Sequence, residues 1–323
     1  MISLNHDGAN SAAPAGGLLV VANQMEHTVL IVDPETRHEL SKIVVGVNGH
    51  EVIVSKDGRF AYVPIYGNSG VGRPGTDGST IDVIDLQERK LAATIDLGKG
   101  LRPHRAEFGP DGLLYVTAEI ANAVDVVDPS ARKVLAEIPT GQKESHMLVL
   151  SRDGRRGYTA NVAAGSVSVL DLSNRSLVTT IPVAKTVQRI SISTDGLRVF
   201  THDQDAPRIA IIDTATNKIS NWIELPSPAY ASEPTPDGRW LLALGVRASR
   251  LFVVDLQTLK IVRTVEIPKR SSEILVRPGG DIAYISGTGA GKIAILDLRS
   301  WEMQPSIDLT PGVDGLAWVP APR

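Results

Sequence analysis

The chain has 323 residues, 42% hydrophobic and 21% charged, with 29 Gly and 20 Pro, which is the make-up of a globular, turn-rich protein. Its net charge of −3 supplies no basic face to neutralise phosphates, and zero Cys excludes disulfides, thiolate ligands and Cys nucleophiles. No run approaches the roughly 18 apolar residues of a membrane span, and the opening MISLNHDGANSAAPAGG lacks the basic and apolar regions of a signal peptide, so a cytoplasmic protein is expected, periplasmic if the chain is a trimmed mature form.

Residues 1–16 read as a flexible N-terminal segment, and 17–323 as one domain. LLVVANQ, TVLIVD and ELSKIVVG follow as three strands with no strand before them. From there a unit recurs. Hydrophobic runs end in Asp33, Asp85, Asp128, Asp171, Asp213, Asp255 and Asp297, at spacings of 52, 43, 43, 42, 42 and 42 residues. Most are preceded by a turn, SKDG, GPDG, SRDG, STDG, TPDG or the degenerate RPGG, in which Gly accepts positive φ and Asp bonds its own backbone. One unit therefore reads as strand A (HMLVLS), turn, strand B (RGYTANV), strand C (SVSVLDL) and strand D (SLVTTIPV). Four antiparallel strands in about 42 residues make a propeller blade. The last strand, GLAWVP at 315–320, has no successor and is expected to complete the N-terminal blade, giving an all-β, seven-bladed β-propeller with a closed ring. The Asp residues closing the C strands are assigned to the C–D turns, not to chemistry.

YVTAE at 115–119, YTANV at 158–162, the Asp-Gly turns and VSVLDLSNRSLVTTIPVA resemble the YVTN-type seven-bladed propeller repeat family, which shades into the propeller lactonases. The resemblance covers 17–320. It implies the propeller fold, and it implies lactone hydrolysis, lyase or isomerase chemistry as reaction types; related propellers also include DNA-binding members and members without known activity. Family repeats usually begin strand A with Pro-x-Gly-apolar-Ala-apolar-Ser-Pro-Asp-Gly, and several blades here depart from it.

Two columns carry the departures. The x column reads His50, His104, His146, Gln188, Tyr230, Ser272 and Asp314, and the Gly column reads Glu51, Arg105, Met147, Arg189, Ala231, Glu273 and Gly315. Strand A is innermost in a propeller, so both columns are expected around one mouth of the central channel. Three of the chain's seven His share one column on successive blades. Three imidazoles leave an open position on a divalent ion, a catalytic more than a structural pattern, so zinc, manganese or iron on His50, His104 and His146 is expected; solvated loop histidines are the alternative. Glu51, Glu107, Glu273 and His202 are the candidate acid/base groups, and Arg105, Arg189, Tyr230, Asn161 and Tyr66 the candidate substrate contacts. Inter-blade ion pairing, Arg105 with Glu51, is the structural reading of the charges. Glu233 is a further carboxyl deep on strand A. The blade 2 insertion YGNSGVGRPGTDGST at 66–80 is expected to be a mobile loop, with a role as a lid.

No Gly-x-Ser-x-Gly elbow, Gly-x4-Gly-Lys-Ser/Thr loop or His-Glu-x-x-His occurs, and GTGAGK at 287–292 falls in a B–C turn. The expectation is a monomeric enzyme with its site at the channel mouth, acting on a small polar or anionic substrate. The alternative is a non-catalytic module that binds a protein, peptide or nucleic acid on the same face.

Overall fold

The computed structural model describes residues 16–321, so almost all of the expected flexible segment lies outside the described residues. They form seven sheets of four antiparallel strands, each in the order A-B-C-D. Neighbouring blades meet through their A strands, which places A innermost. The repeat unit read from 146–183 appears as Ser145–Leu150, Arg156–Asn161, Ser166–Asp171 and Ser176–Pro182.

Burial follows position in the blade. Leu18–Asn23 and Thr28–Asp33, strands B and C of blade 1, are buried at every residue, while strand D, His38–Val44, is mostly exposed. Both faces of B and C are covered by adjacent blades, so they read as continuous apolar runs rich in β-branched residues. The cores accordingly lie between blades. Val20, Val29 and Ile31 of blade 1, for example, pack with Ala61, Val63 and Ile84 of blade 2.

The ring closes with Val313–Val319 as strand A of blade 1, Leu19 opposite Trp318 and Val20 opposite Ala317. At the seam Gly315 N donates to His50 O at 2.8 Å. A Cβ on Gly315 would stand 2.4 Å from that oxygen, so glycine is required there.

The A–B turns hold Gly58, Gly112, Gly154, Gly196, Gly238 and Gly280, with φ from 66 to 79°. The C-strand Asp residues cap the following turns: Asp33 Oδ1 accepts from Glu35 N and Thr36 N, and Asp297 Oδ1 from Arg299 N and Ser300 N. Four residues after each such Asp the backbone is left-handed without a glycine, as at Arg37, Leu259 and Trp301. The one helical element among the described residues is the 3-10 turn Val246–Ala248, and no helix is long and apolar enough to cross a membrane.

The insertion differs from its expectation as a structureless loop. It lengthens strands B and C of blade 2 to Phe60–Gly67 and Asp77–Asp85 and closes between them through a Gly70–Arg73 bridge. Thr76 N donates to Asn68 Oδ1 at 2.6 Å and Ser69 Oγ to Asp77 Oδ1 at 2.5 Å, so polar side chains supply the order that its glycines do not.

Candidate functional site

Five of the seven linkers between strand D and the next strand A share one backbone device. Two residues before the x column, Asn48, Arg102, Glu144, Arg270 and Gly312 are all left-handed, with φ of 58, 52, 56, 59 and 104°. All seven x-column residues then line a single cavity of about 550 Å³ at the channel mouth. Tyr66, Ser69, Gly70, Val71 and Arg73 of the insertion also line it.

His50, His104 and His146 come together on one side of this cavity. His50 Nε2 lies 2.9 Å from His104 Nε2, and the His104 and His146 rings stack at 3.6 Å between centroids with a 35° tilt. Their outward nitrogens fix the tautomers. His50 Nδ1 is 3.0 Å from Asn48 O, which can only accept, so Nδ1 carries the proton and Nε2 a lone pair. His146 Nδ1 is 2.8 Å from Glu119 Oε2. Burial pushes Glu119 up, but His146, Arg102 and Tyr66 hold its carboxyl below the usual value, so it is an anion and His146 Nδ1 donates to it. His146 Nε2 is then also a lone pair, 3.2 Å from the Gln188 amide nitrogen. Burial, followed by the neighbouring His146 and His50, pushes His104 well below the ordinary imidazole range, so it is neutral; its Nδ1 is buried without a hydrogen-bond partner.

Below the histidines the Gly column builds an ionic plug. Glu51, 2% exposed, pairs with Arg105 Nη1 and Arg189 Nη1, each at 2.9 Å. Arg189 also holds Glu273 at 2.5 Å, and Arg105 holds Glu107 at 2.7 Å. Burial raises Glu51, yet the Arg189 and Arg105 guanidinia outweigh it and keep the carboxyl below its ordinary value. Glu273 moves the other way: burial takes it up to about 7 against the pull of Arg189.

Arg189 lines both the mouth and a second cavity of about 1140 Å³ beneath it, whose wall includes Arg105, Glu107, Glu233 and Glu273. Most of the candidate residues thus divide between two chambers. His50, His104, His146, Tyr66 and Tyr230 belong to the mouth, whereas Arg105, Glu107 and Glu273 face the chamber below. Both arginines are engaged by carboxylates. In the lower chamber Glu233 is pushed up to about 8, first by burial and then by Glu273.

Three candidates line neither cavity: Glu51, enclosed between Arg105 and Arg189, together with Asn161 and His202. Asn161 is fully buried within blade 4, accepting from Ser145 Oγ at 2.8 Å and donating to Ser168 Oγ at 2.9 Å. It ties its own strands together and lines neither cavity. His202 is likewise fully buried and outside both cavities, and burial takes its pKa down to about 3. An imidazole held neutral away from both chambers has no access to a substrate.

Glu119, at a B-strand end where the sequence places residues able to join the site, and Arg102, which sequence reading did not single out, organise the cluster. Arg102 Nη1 donates to Glu119 Oε1 at 3.0 Å, and Tyr66 OH donates to Glu119 Oε2 at 3.0 Å. The signal was present: YVTAE ends strand B with Glu119 where blades 1 and 4 carry Asn23 and Asn161. Among the described residues no group of three or more His, Asp or Glu stands ready-made in the geometry of a metal shell.

No family model matches the chain, and no curated protein matches it in sequence, so the YVTN-type resemblance rests on its motifs. Solved structures do share the fold. The Pseudomonas aeruginosa periplasmic gluconolactonase PpgL is 17% identical with a TM-score of 0.73, covering 95% of this chain and 99% of its own. Kuenenia stuttgartiensis hydrazine synthase is 20% identical with a TM-score of 0.74, over 88% of this chain and 94% of that one. The dihydro-heme d1 dehydrogenase NirN is 16% identical with a TM-score of 0.68, over 97% and 77%. These likenesses establish a seven-bladed propeller of the architecture that propeller lactonases and other propeller enzymes use.

Proposed function

We propose that the mouth cavity is the centre of an enzyme in which His50, His104 and His146 hold a divalent metal ion, zinc, manganese or iron, and act on a small polar or anionic substrate. The observation that carries the reading is the outward tethering of His50 to Asn48 O and of His146 to the Glu119 carboxylate. A ring nitrogen held by a carbonyl or carboxylate leaves the other bare, and this is how metal-ligating histidines are oriented. His50 Nε2 and His104 Nε2 are 2.9 Å apart, and with His50 Nδ1 protonated this is a hydrogen bond donated by His104 Nε2; the three imidazoles would hold an ion only once that proton has left.

A bound ion would polarise a carbonyl or lower the pKa of water. The protein's own groups supply the rest. The Gln188 amide, the Tyr230 and Ser272 hydroxyls and the Asp314 carboxyl line the same cavity and can orient a substrate rich in hydroxyl or carbonyl oxygens. Burial raises Asp314 above its ordinary value, which suits it to proton exchange with the substrate, while the Arg105 and Arg189 pairs close the floor. Ring opening of a lactone is the first reaction to test, because one protein of the same fold is a gluconolactonase; in it water adds to the carbonyl carbon, the ring C–O bond breaks and the ring oxygen takes up the proton. Lyase and isomerase reactions at a carbonyl use the same groups. A monomer acting in the cytoplasm belongs to the same reading.

The test follows acid release from a panel of small lactones. It compares metal-reconstituted parent, chelator-stripped parent and the His50→Ala/His104→Ala/His146→Ala variant. Ring opening confined to the reconstituted parent is expected. Equal turnover in all three would transfer the chemistry to a metal-free group, and ligand binding without turnover of any panel member would favour a binding module.

A further inference from the structure

The insertion of blade 2 reaches the imidazole cluster through one side chain. Arg102 is 6% exposed and held left-handed. Its Nε donates to Asp77 Oδ1 at 2.7 Å and its Nη1 to Gly70 O at 3.3 Å, both on the insertion. The same Nη1 donates to Glu119 Oε1 at 3.0 Å. The backbone repeats the connection, with Arg102 N donating to Gly78 O at 2.9 Å and Glu119 N donating to Arg102 O at 3.3 Å. Glu119 is fully buried, and its other oxygen accepts from His146 Nδ1 at 2.8 Å.

A chain of charge-assisted contacts therefore runs from Asp77 through Arg102 and Glu119 to His146. Only a guanidinium serves the middle position, since its planar fork reaches two carboxylates and a carbonyl at once, whereas an ammonium is a point charge. A side chain that does not donate to Glu119 Oε1 would leave the carboxylate free to turn away from His146, and a turned Glu119 no longer accepts from His146 Nδ1 or dictates which of its nitrogens carries the proton.

We propose that Arg102 is a positioning residue that makes the insertion a strap: it fixes Glu119, and through it the ring orientation and tautomer of His146. The inference rests on the reading of the three histidines as the reactive centre, but it concerns the metal-free ring and is tested there. A purely architectural Arg102 would anchor the insertion and leave the His146 tautomer alone.

The experiment uses the full chain, stripped of metal and labelled with 15N at histidine, at one neutral pH. Parent, Arg102→Gln and Arg102→Lys are compared after each melt confirms folding. The parent is expected to show His146 in one tautomer with Nδ1 protonated. Arg102→Gln should lose it to a mixture, and Arg102→Lys should recover it in part. Zinc affinity, measured separately, should fall about 10- to 100-fold in Arg102→Gln. If Arg102→Gln does not fold, Asp77→Asn at the outer end of the strap takes its place, with a smaller shift in the same direction. An unchanged His146 tautomer in the folded variant overturns the proposal, whatever happens to zinc. The expected tautomer change in a parent that binds no zinc would keep the strap and overturn the metal reading.

Discussion

Replacing Glu233 with Gln tests how strongly burial and the neighbouring Glu273 raise the Glu233 carboxyl. Glu233 sits on Ser232–Pro234, the short A strand of blade 6, and shares the chamber with Glu107 and Glu273. Burial and then Glu273 push it up to about 8 from an ordinary 4.5. Because the folded pKa is raised, the folded state binds the extra proton between these two values, and stability falls as pH rises through that window. At 1.36 kcal/mol per pH unit the loss amounts to about 5 kcal/mol at most, less where the chamber admits solvent. The amide of Glu233→Gln keeps the shape and cannot ionise. Urea melts at pH 4 and pH 8 should then coincide for parent and variant at the lower pH, with the variant more stable by about 2–5 kcal/mol at the higher. Parallel curves at both pH values would refute the reasoning and place the carboxyl in water.

Other expectations follow from the same packing. Arg189→Met removes the cation that Glu273 contacts and one of the two that hold Glu51, the other being Arg105, and should destabilise the fold by about 3–5 kcal/mol in denaturant melts. Truncation after Pro311 removes the strand that closes the ring and the buried Val313, Leu316, Ala317 and Val319. It should cost more than about 5 kcal/mol and broaden the thermal transition, and an unchanged melt would contradict closure at this seam. Asp125 is buried, titrates near 7 through burial and then Glu137, and has one oxygen unpartnered. Asp125→Asn should be more stable than the parent above pH 7 and indistinguishable below pH 4, by the same sign as for Glu233.

The fold was legible because the blade repeats its chemistry. VSVLD-type runs are continuous where both sheet faces are covered, and the Asp-Gly turns mark hairpins whose glycines are left-handed in the structure. The mouth was legible as a column, since register alone brings His50, His104, His146, Gln188, Tyr230, Ser272 and Asp314 to one cavity. What sequence reading could not supply was side-chain direction across blades. Arg105 and Glu51 were weighed both as substrate contacts and as an ion pair, and only their 2.9 Å separation shows the pairing. His202 and Asn161 end B strands near the mouth, but their side chains are enclosed between and within blades. Glu119 occupies the equivalent strand end and does reach a histidine, because Arg102 and Tyr66 compensate its charge. Glycine count misled at the insertion, where the polar contacts of Asn68, Ser69 and Asp77 outweigh backbone freedom.

The central claim, that the three mouth histidines hold a catalytic metal, is tested most directly by elemental analysis of untagged protein purified without added metal. Its control is the His50→Ala/His104→Ala/His146→Ala variant, shown to be folded. Near-stoichiometric zinc, manganese or iron in the parent and none in the variant is the predicted result, and it would identify the ion. A parent that holds no metal, even after exposure to all three ions, would contradict the account.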